Sequence, residues 1–459
     1  MKGFANRMSL VTEPPRKRIG TAINLLQAAD TPIHGWYRFV LSYPPHLVRK
    51  YIEAFGLASG DRVLDPFCGT GTTLVEAKKL GLDSVGADAH PVAAMVSRVK
   101  TSWELDTAKL RRRLASVVAK AERETDRAGL LAQSFEAKLF GGAVQDDPLG
   151  EWLSEEEVRL IPTGFVSSRP LQRLLILRRA IMDALAGDSR AELEFFLVAM
   201  AHVIANGAGN FAFGPEIYRT KPKPDYDVLG HFAVQAGRMI TEMKAEQVAG
   251  RASTPAQVVP TDARMLAGVP GEISAVITSP PYPNEKDYTR TTRVELVLLG
   301  LVSDRENLRG MKEGLLRSNT RNVFVADTDN QEVSGFDSVQ KICRAIEDRR
   351  VELNKTSGFE RLYHKVVAHY FGGMRRHFRN LHPLLKRQAQ LAYVVGDQLS
   401  FLMVHVPTAQ LLGEIAEAEG FRVTGCDLWR ERVGTKVRNS RTDERTVRVR
   451  EEVLLLEKK

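Results

Sequence analysis

Residues 62–73 read Arg62-Val63-Leu64-Asp65-Pro66-Phe67-Cys68-Gly69-Thr70-Gly71-Thr72-Thr73, and this stretch decides the fold. Its first four residues have the length and apolar content of a short buried strand, and residues 66–71 form a tight loop. Residues 72–80 predict a helix closed by Gly81, and Ser84-Val85-Gly86-Ala87-Asp88 predicts a second strand that ends in an acid. Upstream, Pro44 and Pro45 open an amphipathic helix with Leu47, Val48, Tyr51, Ile52 and Phe55 on one face. Two strands joined through a helix run parallel, because only a crossover of that length can return the chain in the same direction. The unit therefore predicts an α/β sheet with helices on both faces.

A glycine-rich loop between a strand and a helix lets a ligand approach backbone N–H groups at the helix start. An acid at the end of the next strand can then take the two hydroxyls of a ribose. Asp88 follows Asp65 by 23 residues, near the roughly 20-residue offset of such sites. The third glycine of the dinucleotide fingerprint is missing, and no Gly-Lys-Ser/Thr follows the loop. The loop is thus shaped for a nucleoside without requiring a diphosphate. A lone Gly-x-Gly also serves as a helix-capping turn; the whole string with its acid is the specific signal.

Strand character returns at Ala275-Val276-Ile277-Thr278 and is followed at once by Ser279-Pro280-Pro281-Tyr282. An exocyclic amine on a nucleobase is a poor nucleophile, because its lone pair is conjugated into the ring. Two acceptors for its two N–H groups encourage tetrahedral geometry and aim the lone pair at a methyl donor. The Ser279 hydroxyl and the Pro280 carbonyl supply two acceptors, Pro281 stiffens the backbone, and Tyr282 offers a face for stacking an extruded base. Alone, the tetrad would be read as a rigid turn after a strand.

Loop, acid and tetrad together resemble the amino-group DNA methyltransferases, the tetrad matching their catalytic motif IV. The resemblance implies a Rossmann-like class I methyltransferase sheet and S-adenosylmethionine as cofactor. It places Asp65, Pro66, Phe67, Gly69, Gly71 and Thr72 around the cofactor, with Asp88 on the ribose. Thr70 stands where Ser is commoner. Residues 261–264 resemble motif III, which assigns Asp262 to the cofactor's adenine amino group, and residues 34–48 resemble motif X, which packs on the methionine. The catalytic group is then Ser279, Pro280, Pro281 and Tyr282. The Thr-Ser-Pro-Pro-Tyr form is the one most associated with cytosine-N4 enzymes, whereas Asp or Asn before Pro-Pro-Tyr is typical of adenine-N6 enzymes. The expected function is site-specific N4-cytosine methylation of double-stranded DNA. The alternatives are adenine-N6 methylation and a non-catalytic DNA-binding protein with a methyltransferase-like fold. The cofactor loop precedes the tetrad, as in the alpha-type circular order, although many cytosine-N4 enzymes have the tetrad first. The resemblance covers about 30–100, 258–300 and 385–459.

With 459 residues, two or three domains are expected at about 150 residues each. The assignment is 1–100 as the first part of the catalytic domain, 101–257 as a mainly helical insertion and candidate target-recognition region, and 258–459 as the rest of the catalytic domain. Hydrophobic residues at 43% and charged residues at 26% exclude a mainly disordered chain. A net charge of +9 suits a polyanionic partner. Candidate DNA contacts are Arg219 and Lys221 in the Gly/Pro-rich section at 206–225, Tyr288 and Arg290 beyond the tetrad, and Arg438 and Arg441 in a basic loop at 430–445. Residues 317–321 read as a polar loop over DNA.

Cys68, Cys343 and Cys426 lie too far apart for a disulfide framework or a zinc finger, so no metal site and a reducing compartment are expected. No cysteine follows a proline as in cytosine-C5 enzymes, and the His-x-Glu set of deaminases is missing. Residues 1–21 lack an apolar core of signal type. The uncharged run at 195–215 reads as a buried helix and a loop rather than a membrane span. A cytoplasmic enzyme is expected, and a restriction endonuclease or defence-system protein is the partner that the resemblance suggests.

Overall fold

The computed structural model describes residues 24–37, 42–130, 152–213, 217–284, 286–438 and 444–459, with the backbone alone described for 432–438 and 444–448. From the N-terminus, α1 (Pro45–Ala54) leads into β1 (Arg62–Asp65), α2 (Thr72–Lys79), β2 (Asp83–Ala87) and α3 (Pro91–Thr101). A helical segment follows, with α4 (Thr107–Arg127), α5 (Ser168–Ala184), α6 (Arg190–Val203), a small hairpin of β3 (Phe211–Phe213) and β4 (Ile217–Arg219), and α7 (Val228–Val248). The chain then returns through β5 (Ala256–Val259), β6 (Ile273–Thr278), α8 (Arg293–Leu298), α9 (Asp337–Glu352), α10 (Tyr363–Leu381), β7 (Leu385–Gly396), α11 (Thr408–Ala418), β8 (Phe421–Arg438) and β9 (Glu444–Lys458).

Seven strands form one sheet in the order β5-β2-β1-β6-β7-β9-β8. The pairs β5–β2, β2–β1, β1–β6 and β6–β7 are parallel, while β9 runs antiparallel between β7 and β8. Strand order reverses between β1 and β6, which opens a crevice at their carboxyl ends. The strands read as apolar runs because both faces are covered. Val63, Ile277, Ala392 and Val394 face Leu47, Val48, Tyr51 and Ile52 of α1. Their alternate neighbours Leu64, Val276, Leu391, Tyr393 and Val395 join the opposite core with α10 and α11, as the period of two requires. The doubly wound sheet and its single antiparallel strand are those of a class I methyltransferase fold, in agreement with the sequence reading.

A third core joins α3 to the helical segment and to Ile33, Trp36 and Tyr37. Within it, Ser189 and Glu192 make a capping box that starts α6. The stretch Arg190–Ala208 is apolar and long enough to cross a membrane, but 72% of its most apolar window is buried inside the protein. It is the central helix of this core.

Two expectations are corrected. The basic stretch read as a loop at 430–445 is instead largely ladder: Arg430, Arg432, Lys436 and Arg438 lie on β8 and pair with β9 from Glu444 onward. Val433, Thr435 and Val437 supply β-branched residues between the cations, enough to extend a ribbon through a highly charged sequence. Residues 317–320 do not lie over the surface but are buried. The Arg317 guanidinium donates to Asp327 at 2.7 and 2.9 Å and to the carbonyls of Lys312 and Glu313, and Asn319 donates to the Lys286 carbonyl at 3.0 Å. The acceptors that permit this burial lie just outside the stretch and at Lys286, and charge alone does not reveal them.

Candidate active site

The glycine loop occupies the turn from β1 to α2. Gly69 and Gly71 adopt φ of 51° and 82°, in the left-handed region that favours glycine. Gly71 is required twice over, because a Cβ there would lie 2.6 Å from the Ser97 Oγ. Asp65, at the end of β1, is fully buried. Its carboxylate accepts from Thr278 Oγ1 at 2.6 Å, Tyr43 Oη at 2.6 Å and the Phe67 N–H at 3.2 Å. Burial pushes its pKa up against these three donors. Asp65 therefore does not line the crevice. It latches the loop strand to the residue before the tetrad, 213 positions away. Tyr43 also contacts the Thr73 hydroxyl, which donates to the Ile277 carbonyl at 3.1 Å.

Asp88 lies just beyond β2. Its carboxylate oxygens accept from the Gly69 N–H at 3.0 Å and the His90 N–H at 2.8 Å. Each oxygen retains capacity for a second donor. Burial raises its pKa to about 7, against those two N–H bonds. The carboxylate form is the one that accepts two hydroxyl donors, so affinity for a ribose-bearing cofactor is expected to rise between pH 6 and 8. Titration calorimetry at several pH values checks this. The sign for folding is opposite: a carboxyl with a raised folded-state pKa stabilises the fold at low pH, and that contribution is lost as pH climbs through about 7.

The tetrad begins where the β6 ladder stops, one residue past the Thr278–Tyr393 pair. Ser279 Oγ donates to the Val394 carbonyl at 3.1 Å. With its proton committed there, the hydroxyl oxygen can act towards the crevice only as an acceptor. Tyr282 packs against Gly396, where a Cβ would stand 3.3 Å from the Tyr282 Cε2.

Loop and tetrad share one cavity of about 820 Å3, within the range of small-molecule sites. Pro66, Phe67, Gly69, Thr72 and Asp88 line one part of it; Ser279, Pro280, Pro281, Tyr282 and Tyr288 line another. Tyr37 and Tyr43 add a wall from the N-terminal segment. These residues fit S-adenosylmethionine: backbone and apolar groups of the loop, a two-oxygen acceptor at Asp88, and an acceptor at Ser279 in the same cavity.

Other expected residues fall elsewhere. Gly71 shapes the loop from below and is not part of the lining. Asp262 does not line the cavity either; its carboxylate is held by the Arg264 guanidinium at 2.7 Å, and Arg264 also donates to the buried Asp329 at 2.6 Å. Its neighbour Ala263 does line the cavity. Arg290 is exposed on the short helix after the tetrad, and Arg219 and Lys221 are exposed at and after β4. In the same section Lys223 is turned inward, donating to the Gly209 carbonyl at 2.8 Å and to that of Gly207. The Arg438 backbone is on β8, and Arg441 lies outside the described residues. Sequence reasoning missed Val394, Gly396, Gln398 and Trp429, which also line the cavity. They stand on β7, just after it and on β8, and no local pattern marks them.

A crevice at the switch point of this sheet, with a glycine loop on one side and Ser-Pro-Pro-Tyr on the other, defines the chain as a methyltransferase. Comparison with known proteins agrees. A family model described as DNA methylase, of the N6/N4 type, matches residues 23–97. The chain is 25% identical over 425 residues to the type II methyltransferase M.BsoBI of Geobacillus stearothermophilus, covering 85% of this chain and 79% of that protein. It is 22% identical over 449 residues to the type II methyltransferase M.AvaI of Nostoc sp., covering 92% and 84%. Among solved structures, TrmN from Thermus thermophilus overlaps at a TM-score of 0.25 with 11% identity, covering 90% of this chain and 49% of that one. The fold assignment rests on the strand order itself. The family-model match over residues 23–97 and the two type II relatives support the amino-group DNA methyltransferase family.

Proposed function

We propose that this protein transfers a methyl group from S-adenosylmethionine to the N4 amine of a cytosine extruded from double-stranded DNA. The observation that carries the reading is the Ser279 Oγ donating to the Val394 carbonyl. It makes Ser279 an acceptor inside the cavity that also holds the glycine loop and Asp88. When bound, the cofactor supplies a methyl group already activated as a sulfonium. The protein has to hold the amine in place. Ser279 Oγ takes one N–H and the Pro280 carbonyl the other, Tyr282 stacks on the base, and the amine lone pair is left pointing across the cavity. Asp88 would take the cofactor ribose hydroxyls, with Phe67 and Pro66 lining the same cavity.

The Ser form of the tetrad supports cytosine-N4 over adenine-N6. All three cysteines are buried and free, and burial pushes their thiol pKa values up, that of Cys343 to about 12. They are poor nucleophiles for a C5 mechanism, and they accord with a cytoplasmic enzyme. The type II naming of the relatives supports pairing with a restriction endonuclease. The test is nucleoside mass spectrometry of DNA methylated in vitro. N4-methylcytosine is expected; N6-methyladenine in its place would move the assignment to the adenine enzymes, and no methylated nucleoside would support a non-catalytic DNA-binding protein.

A further inference from the structure

The helical segment between α3 and β5 is the natural candidate for target recognition, yet several of its polar side chains bond residues 31–37. Residues 31–37 form a short strap that ends in the cavity-lining Tyr37. Its backbone is strained: Ile33 sits at φ 65°, ψ −54°, a conformation costly for a β-branched residue. Such strain persists only where surrounding groups over-determine it. Here they do. Glu242 of α7 accepts from the Ile33 N–H at 2.8 Å and from the Trp36 indole at 2.7 Å. Gln235 of α7 and His202 of α6 both bond the Trp36 carbonyl, at 3.1 and 3.0 Å. Arg238 donates to the Gly35 carbonyl at 2.9 Å. Lys100 at the end of α3 donates to the carbonyls of His34 and Tyr37, at 3.0 and 2.6 Å, and Tyr37 Oη reaches Glu295 of α8 at 3.0 Å.

Four residues of the helical segment thus hold a strap whose far end is a wall of the cavity. We infer that the helical segment positions the cofactor wall and that Glu242 is the positioning residue, setting cofactor affinity through residues 31–37 without touching the cofactor. Among the described residues it is the side chain that accepts from two donors of the strap, one of them the strained Ile33. A carboxylate acceptor is also the stronger partner for a backbone N–H.

The inference rests on the proposed use of S-adenosylmethionine, so the unaltered protein is measured first. If it does not bind S-adenosylmethionine in a calorimeter, the cofactor reading itself falls. If it binds, Glu242→Ala is expected to weaken cofactor binding about tenfold. Turnover at saturating cofactor and the KM for DNA should stay within about twofold. Glu242→Gln, whose amide oxygen can still accept both N–H groups, should recover most of the affinity. Unchanged cofactor binding in Glu242→Ala overturns the inference, and so does a rise in the KM for DNA with cofactor affinity intact, which would return the segment to target recognition. Should Glu242→Ala fail to fold, Gln235→Ala carries the test: about threefold weaker cofactor binding supports the inference, and wild-type affinity overturns it.

Discussion

Replacing Ser279 with alanine is expected to lower kcat about a hundredfold or more, the scale seen when one pre-placed polar partner of a transition state is removed, while the cofactor dissociation constant stays within about twofold. Ser279 Oγ is oriented by its bond to the Val394 carbonyl, so its acceptor function is fixed before the base arrives. Alanine leaves the amine with one acceptor in place of two and no defined lone-pair direction. The substitution also strands the Val394 carbonyl, so the thermal midpoint should be recorded alongside. A loss of turnover with an unchanged midpoint assigns the effect to the site. Single-turnover methylation of a duplex at saturating cofactor reads the chemical step directly. Full turnover in this variant would remove the tetrad from the mechanism.

Asp88→Ala is expected to weaken S-adenosylmethionine binding about a hundredfold, as two charge-assisted hydrogen bonds of roughly 1.5 kcal/mol each are lost. The Gly69 and His90 N–H groups lose their acceptor at the same time, which loosens the loop as well as the ribose contact. Asp88→Asn keeps one acceptor oxygen and should fall between the two. It should also flatten the rise in affinity between pH 6 and 8, because the group that titrates near 7 is gone. Titration calorimetry with S-adenosylmethionine or its demethylated product checks all three proteins. A wild-type dissociation constant in Asp88→Ala would place the ribose elsewhere.

Asp65 and Asp88 show how two acids in one motif diverge. By sequence both face the cofactor. In the fold only Asp88 lines the cavity, and Asp65 is enclosed by Thr278, Tyr43 and the Phe67 N–H. The loop and the tetrad are therefore joined by a buried hydrogen bond as well as by the sheet, and damage to either is expected to reach the other.

Local chemistry made much of this protein legible in advance. The strand–loop–helix–strand unit follows from short-range apolar spacing and from glycines that only a left-handed turn requires. Ser279 to Tyr282 stands out because a serine followed by two prolines after a buried strand presents acceptors of fixed geometry. These features are set by residues a few positions apart, so the chain carries them without its fold. Other features depend on which partners the fold brings to a side chain. By sequence Asp262 reads as a ligand acid, but in the fold its carboxylate is held by Arg264, itself anchored on Asp329; the 317–320 stretch reads as surface, but Arg317 is buried against Asp327 and three main-chain carbonyls. The helical segment reads by sequence as a candidate DNA reader; its bonds from Glu242, Gln235, Arg238 and His202 to the strap at 31–37 appear only in the fold. A polar side chain's role is decided by which group neutralises it, and for long-range pairs only the tertiary structure brings that group within reach.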